Sequence, residues 1–433
     1  MKKISTSILL LAVAIFLTQC DVFDPSEKET ETLDPQLIEE GREIFRYDTF
    51  GDEAFWSGIL HIDKAILGKD NGGYGPGVSP NTALSVGLKV DSEALPPELV
   101  AAINAGKVDL DDPATTVALL KLDAVVGVKG TFSEQGEMTK LGITCAVCHS
   151  SVDNSFAAGI GKRLDGWPNR DLNVGAIISL TDNAQPVADL LHVDESTLRT
   201  VLSSWGPGKF NAGLMVDGIA LRPDGSVAAN LLPAAYGLTK ESRATYTGWG
   251  DVSYWNAFVA NIEMHGIGNF NDPRLNNSEQ FPIATENQFY DIQNDEDLIT
   301  SKLPALLEYQ VSLDTPVPPE GSFDVQAAKR GKGLFIGKAD CASCHTGPTF
   351  SDSERRLHSP EEIGIDSFEA DRSPTGMYRT TPLRGVWARS NGGYYHDGRF
   401  TDLLEVVDHY NNHFDLNLSA KEKSDLVEYL KSL

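Results

Sequence analysis

Apolar residues recur at helical spacing in several stretches that frame the chain. Leu37, Ile38, Ile44 and Phe45 fall on one face of a helix predicted to open the ordered part of the protein. Gly41 lies on that same face and lets another helix approach closely. Ala327, Ala328, Gly331, Leu334 and Phe335 make a second face of this kind. A helix over 304–313 starts with a proline suited to a first turn and carries Leu306, Leu307, Gln310 and Leu313 along one side. The last helix begins at a capping box, Ser419-Ala420-Lys421-Glu422, and presents Leu426, Tyr429, Leu430 and Leu433 inward.

Between these lie helices predicted over 97–103 and 114–122, and a longer one over 254–266. In the last, Trp255, Phe258, Val259 and Ile262 form a stripe, with His265 at its edge and Met264 opposite. Residues 214–221, followed by Arg222-Pro223-Asp224-Gly225, alternate enough to predict a short strand or hairpin. The Gly-rich stretch 70–77 lacks the Lys-Ser/Thr of a phosphate-binding loop and reads as a turn. The pattern as a whole is mainly α with minor β structure. It divides into a long N-terminal domain over 37–314, a proline-rich linker over 315–321 and a compact C-terminal domain over 322–433.

The first residues change this picture. Lys2 and Lys3 precede an apolar run from Ile8 to Leu17, too short to span a membrane comfortably, so residues 1–19 read as a signal peptide. Leu17-Thr18-Gln19-Cys20 resembles the end of a bacterial lipoprotein signal, with Cys20 as the lipidated residue and Gln19 where a small residue is usual. The alternative is an ordinary secretory signal with a stray cysteine. Residues 20–36, rich in Glu and poor in apolar side chains, form a tether. The expected location is the periplasm or cell envelope of a bacterium, with the membrane touched through the lipid anchor only. The formal charge of −26 becomes −28 once Lys2 and Lys3 are removed. Such a surface repels nucleic acid and anionic lipid and steers a basic redox partner protein, or it serves solubility alone.

The chemistry lies in two pentapeptides, Cys145-Ala146-Val147-Cys148-His149 and Cys341-Ala342-Ser343-Cys344-His345. In C-x-x-C-H each cysteine adds to one vinyl group of a haem and the histidine is held beneath the iron. With nine histidines in 433 residues, both would follow the cysteine pairs by accident about once in 2300 such chains. A four-cysteine zinc site would need the two pairs to converge and leaves both histidines without a role. The five cysteines are fully used, Cys20 for lipid and four for two covalently bound haem c groups, and export agrees with covalent haem attachment. No residue pattern supports a calcium ion (Ca2+). Arg163 and Arg170, in a loop after the first motif, are candidates to pair with haem propionates, the alternative being ordinary surface arginines.

Three further stretches, 378–387, 394–400 and 404–410, join the second motif in a set that resembles the C-terminal domain of the di-haem cytochrome c peroxidases. The wider group includes the methylamine-pathway di-haem enzyme and the haem rubber oxygenases. The resemblance is specific over roughly residues 300–433. It implies two cytochrome c-like domains with a haem in each, one iron relaying electrons and the other meeting a peroxide or oxygen substrate. His149 and His345 match the proximal ligands. For the sixth ligand of the second haem the resemblance points to Tyr410, with its neighbour His409 as the alternative, Met377 as an outside candidate, and His396 and His358 behind these. At the first haem the peroxidases carry a distal histidine where this chain has Asp165. Either His265, Met264, Met215 or His192 closes that iron, or its sixth position is open. Asp165 and Glu263 are candidates for an acid or base over an open face, and Trp167 and Trp255 for an electronic bridge between the haems. A pure electron carrier with both irons six-coordinate is the rival reading.

Overall fold

Two helix crossings of the same design organise the protein. The first joins α1 (Pro35–Tyr47) to α8 (Leu303–Ser312), and the second joins α9 (Val325–Ile336) to α11 (Ala420–Lys431). The computed structural model describes residues 33–239 and 242–433. At the first crossing a Cβ on Gly41 would lie 1.9 Å from the carbonyl oxygen of Ala305. At the second a Cβ on Gly331 would lie 2.0 Å from that of Asp425. Only glycine admits backbones this close. One turn further on, an aromatic pair locks each crossing edge to face: Phe45 on Tyr309 at 5.5 Å and Phe335 on Tyr429 at 5.2 Å. Arg330 adds a forked pair of hydrogen bonds to Asp425 across the second crossing, at 2.9 and 2.7 Å.

The caps follow from sequence. Asp34 accepts a hydrogen bond from the Gln36 amide and Pro35 occupies the first turn, so α1 begins inside the stretch 20–36 expected as tether. The expected capping box of Ser419 and Glu422 opens α11. The signal peptide 1–19, Cys20 and most of the tether lie outside the described residues.

The chain between α1 and α8 carries α2 (Pro97–Asn104) and α3 (Pro113–Lys121), then a hairpin of β1 (Val128–Phe132) and β2 (Met138–Ile143). The single turn α4 (Ala146–His149) follows, leading into β3 (Ser150–Val152), which pairs antiparallel with β4 (Arg163–Asp165). Beyond them come α5 (Glu195–Trp205), α6 (Leu214–Asp217) and α7 (Val252–Phe258); α10 (Leu403–His413) precedes α11. The structure is mainly helical, and its β content among the described residues is five two-stranded sheets. No helix among them is long and apolar enough to cross a membrane.

Two elements differ from expectation. The strand predicted over 214–221 is the short helix α6, stopped by Gly218 at φ 72°, and only the bridge Leu221–Val227 remains of the hairpin. Tertiary pairing overrides the alternation there: Asp217 is buried against Arg372 at 2.6 Å. The helix predicted over 254–266 begins as α7 but widens into a π-helical segment, Val259–Glu263, closed by the Met264 amide donating to the Val259 carbonyl at 2.8 Å. The extra residue rotates everything beyond it, and His265 ends the run at φ 59°.

Each crossing builds its own apolar cluster, and each haem motif leans on one: Ala146 and Cys145 on Phe45, Leu306 and Tyr309; Cys341 and Ala342 on Phe335, Leu426 and Tyr429. Gly331→Ala forces a methyl group into the backbone of the crossing helix and is expected to cost about 3 kcal/mol, read as a lowered thermal unfolding midpoint.

Candidate haem sites

At the first motif the cysteines are half-buried free thiols on the α4 turn. His149 donates from Nδ1 to the Pro233 carbonyl at 3.1 Å, which leaves Nε2 as the ligating atom. The following loop is clamped onto the motif. Gly166 donates to the His149 carbonyl at 2.8 Å and Asn169 to the Cys148 carbonyl at 2.9 Å, while the Asn169 side chain reaches the carbonyls of Val147 and Gly87. Burial pushes both thiols up to about 12, Glu263 adding to the shift at Cys148, and burial lowers His149, keeping the imidazole neutral.

The second motif repeats the device. His345 donates from Nδ1 to the Phe350 carbonyl at 2.9 Å, and burial lowers its pKa to about 4. Cys341 is pushed up to about 11, again by burial. The four cysteines do not converge. Among the described residues the only cluster of His, Cys, Asp or Glu close enough for one ion is Cys344, Asp352 and His358, so a four-cysteine zinc site has no geometry. Paired thiols, neutral histidines with Nε2 free, and buried charged groups that the protein itself leaves without partners fit a covalently held haem in each half.

Tyr410 lies in the second site. Burial raises its pKa to about 12, the hydrogen bond with Tyr395 working against the rise and the neighbouring Cys344 and Cys341 adding to it. His409, one residue earlier on α10, turns its Nε2 to the Ile363 carbonyl at 2.9 Å. Met377 is 39% exposed on a turn. His396 stacks on Tyr378 at 5.3 Å, and His358 sits between Asp352, Thr380 and Glu362.

Around the first motif the π-helical segment sorts the candidates. His265 stacks on Phe55 at 3.8 Å and lines a cavity of about 320 Å³ with Asn261, Gln288 and Phe289; no haem-motif residue lines it. Met264 is buried in the cluster that carries Cys145 and Ala146, whereas Met215 belongs to a different cluster and His192 pairs with Glu286 at 2.8 Å. Glu263 has both carboxylate oxygens shut off from solvent without a hydrogen-bond partner. Burial, then the charge of Asp217, holds its pKa well above the usual carboxylate range. Asp165 is the opposite case. It accepts from Arg46 Nε, the Tyr309 hydroxyl and the Ser150 hydroxyl, each at 2.6 Å.

Of the loop arginines, Arg163 pairs with Asp91 at 3.2 Å, while Arg170 has no carboxylate partner among the described residues. Trp255 is packed among Trp249 and Phe258 at 5.0 Å. Trp167 meets Trp387 edge to face at 5.7 Å and Tyr236 at 6.2 Å, joining the two halves. Trp387 and Arg389 were given no role by sequence reasoning, and no local spacing marks them.

No family model matches the chain. The methylamine utilization protein MauG of Methylorubrum extorquens is 36% identical over 123 residues, which is 24% of this chain and 34% of that protein. The cytochrome-c peroxidase IdrP1 of Pseudomonas sp. (strain SCT) is 29% identical over 150 residues, 24% of this chain and 39% of its own length. The chain thus spans between a third and two fifths of these curated relatives. Among solved structures, a MauG-like protein associated with microbial copper homeostasis gives a loose superposition, with TM-score 0.33 and 20% identity over 51% of this chain and 77% of that one. The chain itself carries two C-x-x-C-H motifs, and these sequence relatives support a di-haem cytochrome.

Asp165→Asn leaves the Arg46 guanidinium without its buried counter-charge and is expected to cost roughly 3 kcal/mol, measured by denaturant unfolding, with the first haem still attached.

Proposed function

We propose that this protein is an exported, lipid-anchored di-haem c-type cytochrome with peroxidase-like oxidoreductase activity at the first haem and electron relay through the second. The observation that carries the reading is Glu263, a buried carboxyl group with no protein partner beside the first motif. His149 and His345 would hold the irons from below, and Tyr410 would supply the sixth ligand of the second. Each haem, when bound, supplies one-electron transfer, and an iron with a free sixth position also supplies a binding place for peroxide or oxygen.

The protein's own part is proton management and positioning. Because burial raises its pKa, the acid form of Glu263 is favoured over that of an exposed carboxyl, and in that form it can deliver a proton from Oε to a leaving oxygen, then recover it. Trp167 and Trp387 close the gap between the halves, and Asn169 holds the first motif rigid. Burial keeps the phenol of Tyr410 neutral, and its oxygen would be the atom to hold the second iron, as a phenolate once its proton is given up. The acidic surface favours a basic electron-donating or electron-accepting protein. The periplasmic location and the anchor at Cys20 rest on the N-terminal sequence.

The test is the spin state of the first iron, read in the fully oxidised and half-reduced protein, with and without peroxide or cyanide. A high-spin signal that responds to either supports the enzyme; two low-spin irons in both redox states would establish a pure electron carrier instead. Glu263→Gln is expected to lower peroxide turnover roughly a hundredfold to ten-thousandfold with both haems retained. In the unsubstituted protein turnover should fall as pH rises through the raised pKa of Glu263, because the acid form is lost, and the variant should not show that limb. Tyr410→Phe is expected to alter the absorption spectrum of the second haem alone; an unchanged spectrum removes Tyr410 as a ligand.

A further inference from the structure

Arg170 and Arg389 come from opposite halves of the chain and meet at their junction. They follow Trp167 and Trp387, whose rings touch at 5.7 Å, by three and two residues. Arg170 is 8% exposed. Its Nη1 donates to the carbonyl of Asn391 at 3.2 Å, and its Nε is buried without a partner. Arg389 is held by Nη2 on the carbonyls of Pro382 and Arg384, at 2.6 and 3.3 Å, and its Nε is likewise buried and unpartnered. Neither forms an ion pair among the described residues.

Beyond burial, the groups acting on Arg170 are Tyr246, then Arg389, a second cation, then Tyr236 and Tyr394. Burial and then Arg389 hold Arg170 below its ordinary pKa, the reverse of Arg46, which has Asp165 as a carboxylate partner. Lys209 adds a third cation to the neighbourhood, with Arg222 beside it and Asp397 as its nearest acidic influence. Buried charges in proteins are paired; Arg170, bonded to the carbonyl two residues beyond Arg389, and Arg389 itself each lack a carboxylate partner among the described residues and call for an anion. Planar, bidentate guanidinium groups select carboxylates or phosphates.

We propose that Arg170 and Arg389 form one anion-binding cradle between the halves, and that its ligands are the propionate carboxylates of the haems. The inference rests on the di-haem reading. Arg389 holds the carbonyl of Arg384, whose guanidinium lies over the Phe350 ring at 5.6 Å, and Phe350 carries the carbonyl that fixes His345; Arg170 sits in the loop clamped to the first motif, so the two arginines border both sites. Haem insertion then supplies the counter-charge that the apoprotein lacks and fastens the two halves together. A positive cluster beside a haem also favours the reduced form, so the cradle raises haem potential.

The experiment uses the full-length holoprotein and the variants Arg170→Gln, Arg389→Gln and their lysine counterparts, with haem counted by the alkaline pyridine spectrum and both midpoint potentials read by redox titration. Two covalent haems per chain are expected in every protein, because the thioethers are untouched; fewer than two in the unsubstituted protein would sink the di-haem reading itself. With two haems present, each glutamine variant is expected to make reduction of at least one haem about tenfold less favourable, a fall of about 59 mV for a one-electron couple. The lysine variants keep the charge and should fall less. If a glutamine variant does not fold, its lysine counterpart carries the test through a smaller fall. Unchanged or raised potentials overturn the inference. Phosphate titrated into the unsubstituted protein at constant ionic strength should leave both potentials in place; a dependence on phosphate would assign the cradle to a free anion and overturn the propionate ligand.

Discussion

Everything in this protein depends on two places where helix backbones come closer than a side chain allows. Gly41 against Ala305 and Gly331 against Asp425 bring a first and a last helix into direct contact, and in each half the haem motif is packed against the apolar cluster that results. A methyl group at either glycine would fall within about 2 Å of a carbonyl oxygen. The same spacing then places an aromatic pair one turn away in both halves. The two candidate haem sites are therefore copies of one packing solution, and both fix their histidine by the same Nδ1 bond to a backbone carbonyl.

What separates the sites is the material inserted around the first. The π-helical segment after α7 inserts one residue into the helical repeat, leaving the Glu263 carboxylate without a partner beside the first motif and His265 in an outer cavity. Widened turns of this kind carry a cost in hydrogen-bond geometry and persist where function uses them. Nearby, Arg372 crosses from the C-terminal half to Asp217, with bonds at 2.6 and 3.1 Å, and Asp217 is the charge that acts on Glu263. The chemistry proposed for the first site is thus braced by a residue of the second half. A second ionic group, Arg222 with Asp366 and Asp397, ties the halves elsewhere along their contact.

Much of the framework was legible in the sequence. The glycine-bearing helix faces, the capping box at Ser419 and the proline-led helix over 304–313 follow from local spacing, and the structure forms each of them. Local rules failed where distant partners decide. Within the alternation over 214–221, residues 214–217 form a helix in which Asp217 turns to a buried arginine more than a hundred residues away. An uninterrupted period over 254–266 puts His265 at the edge of the stripe; the widened turn is invisible to periodicity.

Among the candidate side chains the division is similar. Cys145, Cys148, His149, Cys341, Cys344 and His345 are singled out as candidates by the sequence alone, because covalent haem attachment needs cysteines and histidine at fixed spacing along the backbone. Asp165 and Glu263 are indistinguishable as letters. Only the tertiary structure surrounds one with three donors and leaves the other empty-handed. Arg163 and Arg170 part in the same way, one meeting Asp91 and the other a second arginine. Spacing along the chain can say which atoms are bonded through the backbone; the state of a buried charge depends on what the rest of the fold brings to face it.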